Sequence, residues 1–157
     1  MADDQNLMKL YSQRILALAA AIPITERLEN PGATVRKRSP LCGSTVEVDV
    51  IVSDGIITDF AQDVKACALG QTSASVLASH VVGLSKKQIT DARDQLFTML
   101  KGDSQTPAAP FDDLEVLLPA QAYKNRHASI MLAFDATLEA IDMAEKNAAN
   151  QSVAASS

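Results

Sequence analysis

Hydrophobic and polar residues alternate along two neighbouring stretches in the first half of the chain. Valine occupies every second position from 46 to 52, and mostly polar residues fill the positions between them. The second stretch carries its larger apolar side chains at Ile56, Phe60 and Val64. A period of two is typical of a strand with one buried face. The pattern therefore predicts a β-hairpin.

The length of the turn decides which residues of this hairpin face each other. A two-residue Asp54-Gly55 turn would set Val46 opposite Asp63 and mix the apolar and polar faces. A three-residue loop, with the glycine in the left-handed conformation, sets Val52 opposite Ile56 and keeps the apolar face whole. We therefore predict the three-residue loop.

The two cysteines of the chain, Cys42 and Cys67, lie at the far ends of these two strands. The predicted register sets Cys42 opposite Ala66, so the two thiols are expected to be neighbours. In an intracellular protein such a pair is typical of reduced ligands or sulfur carriers rather than of a structural disulfide. Cys67 also begins a helix-like run, where free backbone N–H groups favour a thiolate. The alternative is that both are small buried packing residues.

Apolar residues at helical spacing predict four helices. Three cover about residues 4–21, 68–82 and 124–144, and the remaining one, third in chain order, begins within residues 84–88 and ends at residues 101–103. Ser85 is the predicted cap of the third helix, whose apolar stripe is Ile89, Ala92, Leu96, Met99 and Leu100. A further strand is predicted over residues 34–40, and a short turn or helix over 111–115. This order predicts an α+β fold of two layers, a three-stranded antiparallel sheet with helices on one face. We expect one domain over residues 1–146 and a disordered tail over 147–157.

Composition and charge narrow the class of protein. The chain has 157 residues, 47% of them hydrophobic, with a formal net charge of −5. It carries neither a membrane-length apolar run nor the basic start of a signal peptide. These features predict a cytoplasmic monomer or weak dimer that binds neither membrane nor nucleic acid. The basic cluster Arg36-Lys37-Arg38 is the exception, and it is either a solvated strand edge or a docking patch for an acidic partner.

Several short segments are similar to those of a known family. They are Asn30-Pro31, Pro40-Leu41-Cys42-Gly43, Asp54-Gly55-Ile56-Ile57, Ala66-Cys67-Ala68, Phe111-Asp112-Asp113-Leu114-Glu115 and Tyr123-Lys124-Asn125-Arg126. In this order they resemble the U-type iron–sulfur cluster assembly scaffold proteins, which include IscU, SufU and the amino-terminal part of NifU. The last two segments look like the SufU branch in particular, and the resemblance spans about residues 7–143.

The resemblance implies part of a ligand set. Members of the family hold an iron–sulfur cluster or a zinc ion with three cysteines and an aspartate. Cys42 and Cys67 match two of those cysteines, whereas Ser44 stands at the position of the aspartate. An ungapped alignment puts Ser129 at the third cysteine, and a shift of one residue places His127 beside or at that position instead. A neutral hydroxyl is a poor ligand beside a thiolate, so either serine would weaken metal binding.

The resemblance also implies a function. Arg126 matches a family arginine near the cluster, where its positive charge could stabilise thiolates. The sequence shows no nucleophile–base–acid set and no phosphate-binding loop, so we do not expect an enzyme. The implied role is a scaffold or carrier that receives sulfur from a cysteine desulfurase and passes a cluster to acceptor apoproteins. The alternatives are a zinc-bearing sulfur-transfer partner of the desulfurase and a metal-free interaction module that keeps the fold.

Overall fold

A computed structural model describes residues 11–23, 26–40, 43–103 and 105–156, and side chains only as far as residue 151. Cys42 lies outside the described residues. Within them the helices are α1 (Gln13–Ala20), α2 (Ala68–His80), α3 (Lys86–Leu100) and α4 (His127–Ser156). The strands are β1 (Ala33–Arg38), β2 (Thr45–Ser53) and β3 (Ile56–Lys65), and 3-10 segments cover Asp112–Ala122 and Lys124–Arg126.

The three strands form one antiparallel sheet in the order β1-β2-β3. Helix α4 packs across β1 and β2, and α2 packs against β3 and α4. Val46, Val48 and Val50 are 0–1% exposed because they face this helical layer. The α+β fold with helices packed on the sheet is therefore confirmed. None of the helices in the described ranges combines the length and apolar character needed to cross a membrane.

The hairpin turn differs from the predicted one. Val52 pairs with Ile57 and Ser53 with Ile56, which leaves a two-residue turn of Asp54 and Gly55. Their φ angles are 52° and 77°, and two positive φ angles in succession match the twist of antiparallel strands. The predicted three-residue loop is therefore wrong.

A β-bulge explains how the apolar face stays whole despite this turn. The pairing shifts between Ile51 and Val52, so that Thr58 is left without a partner on β2. Beyond the bulge Val50 pairs with Phe60. One extra residue on a strand reverses the parity of the pairing. Val48 pairs with Gln62 rather than with the predicted Phe60, because the shorter turn and the bulge together shift the register.

Helix α3 matches the predicted helix closely. All five residues of the predicted apolar stripe are buried, at 0–4% exposure. Ser85 caps the helix: its Oγ accepts from the Gln88 amide at 3.3 Å, and the Gln88 side chain accepts from the Ser85 amide at 3.0 Å. This reciprocal pair satisfies two N–H groups that the helix itself leaves free.

The two terminal helices differ in extent from the predicted ones. Helix α1 begins at Gln13 because Ser12 caps it, with Oγ accepting from the Ile15 amide at 3.3 Å, and residues 4–10 lie outside the described residues. Helix α4 continues to Ser156, where the sequence predicts a tail. Residues 147–156 contain neither glycine nor proline, so nothing in them stops a helix. The Asn147 side chain also donates to the Gly32 carbonyl at 2.9 Å.

On the sheet face away from the helices, the buried carboxylate of Asp49 anchors the segment that precedes β1. Its oxygens accept from Arg27 Nε at 2.6 Å and Nη2 at 2.8 Å. The Leu28 amide donates at 3.1 Å and the Thr34 hydroxyl at 2.6 Å. The Arg27 hydrogen bonds hold the pKa of Asp49 below its usual range. Residues 27–28 are thereby fixed over the outer face of the sheet.

Candidate functional site

Cys67 stands where β3 ends and α2 begins. It is the N-cap residue of α2, with extended backbone angles of −66° and 171°, and its side chain is half-buried. Its Sγ accepts no capping hydrogen bond of ordinary geometry. The amides of Leu69 and Gly70 nevertheless lie close enough to favour its thiolate form. The start of a helix is a place where negative charge is stabilised.

Opposing influences set the acidity of this thiol. Burial raises the pKa of Cys67 and is the largest single influence. The Gly70 amide, the Ser129 hydroxyl, the Leu69 amide and the charge of Arg126 lower it by more in total. The pKa of Cys67 therefore lies below its ordinary value, and a larger fraction of the sulfur is thiolate at neutral pH.

Two buried hydroxyls lie next to this sulfur. Ser129, in the first turn of α4, places its Oγ 3.7 Å from Cys67 Sγ. The same Oγ is 3.0 Å from the Oγ of Ser44, which lies just before β2. Ser44 is 4% exposed and Ser129 2%. The structure thus connects Cys67 with both serines that the resemblance places at ligand positions.

Gly70 permits this close approach of α2 and α4. A Cβ at this position would lie 2.6 Å from Ser129 Oγ and 2.8 Å from the Cβ of Ala66. Both distances are shorter than van der Waals contact. A residue without a side chain is therefore needed for Ser129 to reach the start of α2. Sequence analysis missed this role, which only the packing of the two helices reveals.

The loop that carries the other cysteine is closed at its base. The Ser39 amide donates to the Ser44 carbonyl at 2.8 Å, and the Gly43 amide donates to the Ser39 carbonyl at 2.9 Å. Gly43 has a φ of 68°, which favours glycine. Cys42 itself lies outside the described residues, so its distance to Cys67 stays a prediction. The register from which its pairing with Ala66 was predicted is not the observed one, since Thr45 pairs with Lys65.

His127 has surroundings different from those predicted. Its Nε2 lies 2.8 Å from the Ala120 carbonyl oxygen and donates to it, since a carbonyl can only accept. Its Nδ1 is buried with no partner among the described residues. The ring lines a cleft with Lys101 and Gln121. Residues two apart on a helix point about 200° away from each other, so Ser129 rather than His127 contacts Cys67.

Within the described ranges, no three histidine, cysteine, aspartate or glutamate side chains come together as a group that could hold a metal ion. The potential donors that do come together are one thiol and two hydroxyls. Arg126, in the turn before α4, adds a positive charge near the sulfur. Such a set stabilises a thiolate, and it needs a further strong donor to hold a soft metal ion firmly.

Removing the Ser129 hydroxyl is expected to raise the pKa of the Cys67 thiol. In a Cys42→Ala background, Ser129→Ala should slow alkylation by iodoacetamide at neutral pH and shift its pH profile to higher pH, because the thiolate loses a donor. The rate is measured between pH 6 and 10. Ser73→Ala is the matched control, since Ser73 is buried on α2 and its Oγ has no partner in the described structure. Equal profiles for the two variants would contradict the assigned role of Ser129.

The site is therefore a half-buried thiol at the N-cap position of a helix, beside a three-stranded antiparallel sheet, with buried hydroxyls supplied by two other elements. A NifU-like protein (N-terminal) from Brucella abortus has this fold, with 41% sequence identity and a TM-score of 0.86, over 90% of this chain and 98% of that one. The chain belongs to the U-type iron–sulfur cluster assembly scaffold family.

Two further relatives agree with this assignment. The iron–sulfur cluster assembly scaffold protein IscU of Streptococcus pyogenes serotype M1 is 26% identical over 107 residues, which are 68% of this chain and 67% of the relative. A protein described as a scaffold for the SUF system of Fervidobacterium islandicum AW-1 shares the fold, with a TM-score of 0.74 at 18% identity over 85% of this chain and 98% of that one. That likeness shows a shared fold. No protein-family model matches the chain.

Proposed function

We propose that this protein is an iron–sulfur cluster assembly scaffold or carrier with an incomplete ligand set. Cys42 and Cys67 would hold the cargo, and Ser44 and Ser129 fill the two remaining family positions. The observation that carries the proposal is the run of contacts from Cys67 Sγ to Ser129 Oγ at 3.7 Å and on to Ser44 Oγ at 3.0 Å. It supports the alignment that puts Ser129, not His127, at the third cysteine. The scaffold domain would be residues 1–146.

The chemistry of the donors explains what such a site would do. Thiolates are soft anionic ligands that suit iron and zinc. The lowered pKa of Cys67 increases the fraction of its thiolate form at neutral pH. Neutral hydroxyls bind these metals weakly, so two of the four positions would contribute little affinity. A cluster or zinc ion held in this way would exchange readily, which suits a carrier better than a storage site.

The partners follow from that role. A cysteine desulfurase would supply sulfur, and acceptor apoproteins would take the cluster. The S. pyogenes relative carries the name of an assembly scaffold, which supports this assignment. We propose that the protein works in the cytoplasm and binds and transfers cargo without being an enzyme.

Sulfur acceptance with bound zinc is a second candidate function. The half-buried thiol of Cys67 has a lowered pKa and lies at the start of a helix, which are properties of a reactive cysteine. The Cys67 thiolate would attack the outer sulfur of a persulfide on the desulfurase, which forms a persulfide on Cys67 and releases the desulfurase thiolate. A zinc ion would be bound through Cys42 with a further donor. This function needs persulfide on Cys67 and no cluster.

Anaerobic reconstitution with iron and sulfide tests the first function. We expect visible charge-transfer absorption from the wild-type protein, and its loss in Cys42→Ala and in Cys67→Ala, because each removes half of the thiolate ligands. His127→Gln is the control and should keep the absorption, since its Nε2 bonds to Ala120 rather than to the site. The metal content of protein isolated without oxygen is measured in parallel.

The outcomes separate the candidates. Zinc without colour, together with a persulfide on Cys67 after incubation with desulfurase and cysteine, would favour sulfur transfer. An empty site under every condition would leave the metal-free interaction module. A loss of colour in His127→Gln as complete as in Cys67→Ala would overturn the proposed ligand set.

A further inference from the structure

The register of the sheet collects positive charge at the end that carries Cys67. Arg38, the last residue of β1, pairs with Thr45, and Thr45 pairs with Lys65, the last residue of β3. Residues in one such row share a face, and Arg38 and Lys65 are separated by two strand spacings, or about 10 Å. Both side chains are exposed. Lys65 precedes Cys67 by two residues.

One further cation belongs to the same region. Arg126 precedes α4, and its charge acts on the sulfur of Cys67. We call Arg38, Lys65 and Arg126 the basic rim. Arg36 is exposed on the same face of β1 but lies in the next row, opposite Glu47, and is not part of the rim. Lys37 points to the opposite face, where its Nζ meets Glu139 at 2.9 Å.

The basic rim differs from the other cations in how it is paired. Most of the cations elsewhere in the described structure form ion pairs with carboxylates: Arg14, Arg27, Lys37, Lys86, Lys87 and Arg93. Among the described residues, no carboxylate lies within ion-pair distance of any member of the basic rim. A chain with a net charge of −5 therefore presents uncompensated positive charge around its reactive thiol.

We infer that the basic rim is a docking surface for an acidic protein surface, which it aligns over Cys67. Unpaired charges at the edge of an interface steer association and fix its register. The patch is narrow, because Glu47 and Asp63 lie opposite each other in the next row of the outer face. Their negative charges limit the positive patch to the end of the sheet. A small positive patch on an acidic protein fits an acidic patch of similar size better than it fits a nucleic acid.

The inference rests on the proposed function in one respect: the docked partner would deliver sulfur to Cys67 or take cargo from it. The surface itself can be tested without any metal or cluster. Apoprotein binding data therefore report on the docking surface, and reconstitution of the same variants reports on the proposed function.

The first measurement reads the local potential at Cys67. In a Cys42→Ala background, the alkylation rate with iodoacetate, an anion, is divided by the rate with neutral iodoacetamide, so that the intrinsic reactivity of the thiolate cancels. We expect Arg38→Glu and Lys65→Glu each to lower this ratio about threefold at low salt. Lys146→Glu is the matched control: it makes the same charge change at an exposed position near the far end of α4 and should leave the ratio unchanged.

The second measurement reads docking. A fluorescein-labelled peptide of about ten residues, rich in glutamate and aspartate, is titrated with the apoprotein and followed by anisotropy at low and at high salt. We expect Arg38→Glu and Lys65→Glu each to weaken peptide binding about fivefold, and high salt to abolish it. Bound peptide should also slow the alkylation of Cys67 by iodoacetamide.

Any of three results would overturn the inference. The first is equal loss in Lys146→Glu and the second is no binding at all, and each would make the rim an ordinary solvated edge. The third is tighter binding of a single-stranded oligonucleotide than of the peptide, which would assign the rim to nucleic acid. A variant that fails to bind peptide yet still reconstitutes a cluster would support the docking surface and leave the proposed function intact.

Discussion

Replacing Ser44 with aspartate and Ser129 with cysteine is expected to tighten zinc binding at least about 100-fold. In zinc sites with four good ligands, the free energy of binding amounts to roughly 3 kcal/mol per ligand. Both positions already lie in the connected group around Cys67, with their Oγ atoms 3.0 Å apart. The double substitution would supply one carboxylate and one thiolate where the native chain has two hydroxyls.

Competition against a chromophoric zinc chelator under anaerobic conditions measures the affinity. The matched control is the Ser44→Ala, Ser129→Ala double variant, which changes the same two positions without adding a ligand. We expect the control to bind zinc no more tightly than the native protein. Equal affinities for the two double variants would show that these positions do not face the metal, and the proposed site would fail with them.

The substitution Gly70→Ala is expected to lower the free energy of unfolding by about 2 kcal/mol, because overpacking a tight interface outweighs the gain in helix propensity. The new methyl group would lie 2.6 Å from Ser129 Oγ and 2.8 Å from the Cβ of Ala66. The Ser129 hydroxyl can rotate, but the Ala66 Cβ and the Ser129 carbonyl oxygen, which would lie 3.2 Å from the new methyl group, cannot. Relief therefore requires α2 to shift away from Ala66 and from the start of α4.

Urea unfolding followed by circular dichroism measures this loss. Gln71→Ala, at the next position of the same helix, is the control and should change stability by no more than about 0.5 kcal/mol. Separation of the helices should also raise the pKa of Cys67, because its donors move away. A Gly70→Ala variant as stable as the native protein would mean that the helices are not packed as closely as described.

Helix α3 shows what periodicity predicts well. The positions of its buried stripe follow from the repeat of 3.6 residues alone, and its cap follows from one serine with a glutamine three residues later. Both signals are local. Nothing elsewhere in the chain competes with them.

The hairpin shows where local reasoning stops. Asp54-Gly55 is a strong signal for a two-residue turn, but that turn conflicts with the alternation of the flanking strands. A three-residue loop was predicted because it removes this conflict, whereas the protein keeps the two-residue turn and has a bulge at Thr58. A bulge of this kind has no distinctive residue. Only the pairing of the whole strand reveals it.

The site shows the same division. The resemblance singled out Cys67, Ser44 and Ser129, and the structure brings these three side chains together, but an alignment uncertain by one or two residues could not separate Ser129 from His127. Helix geometry separates them, since side chains two residues apart face opposite sides. The two buried serines, Ser44 and Ser129, also lie in no recognisable sequence motif. Their place beside Cys67 depends on the tertiary contact between Ser129 at the start of α4 and Ser44 just before β2.

The bulge at Thr58 constrains how this family could vary in length. Adding one residue to the turn would move every later side chain of β3 to the opposite face of the sheet, unless one residue were lost at the bulge. The two changes together would preserve the inward-facing set and the row that ends in Lys65. Insertions and deletions in this ribbon should therefore occur as compensated pairs among homologues, with turn length and bulge inherited as a single trait.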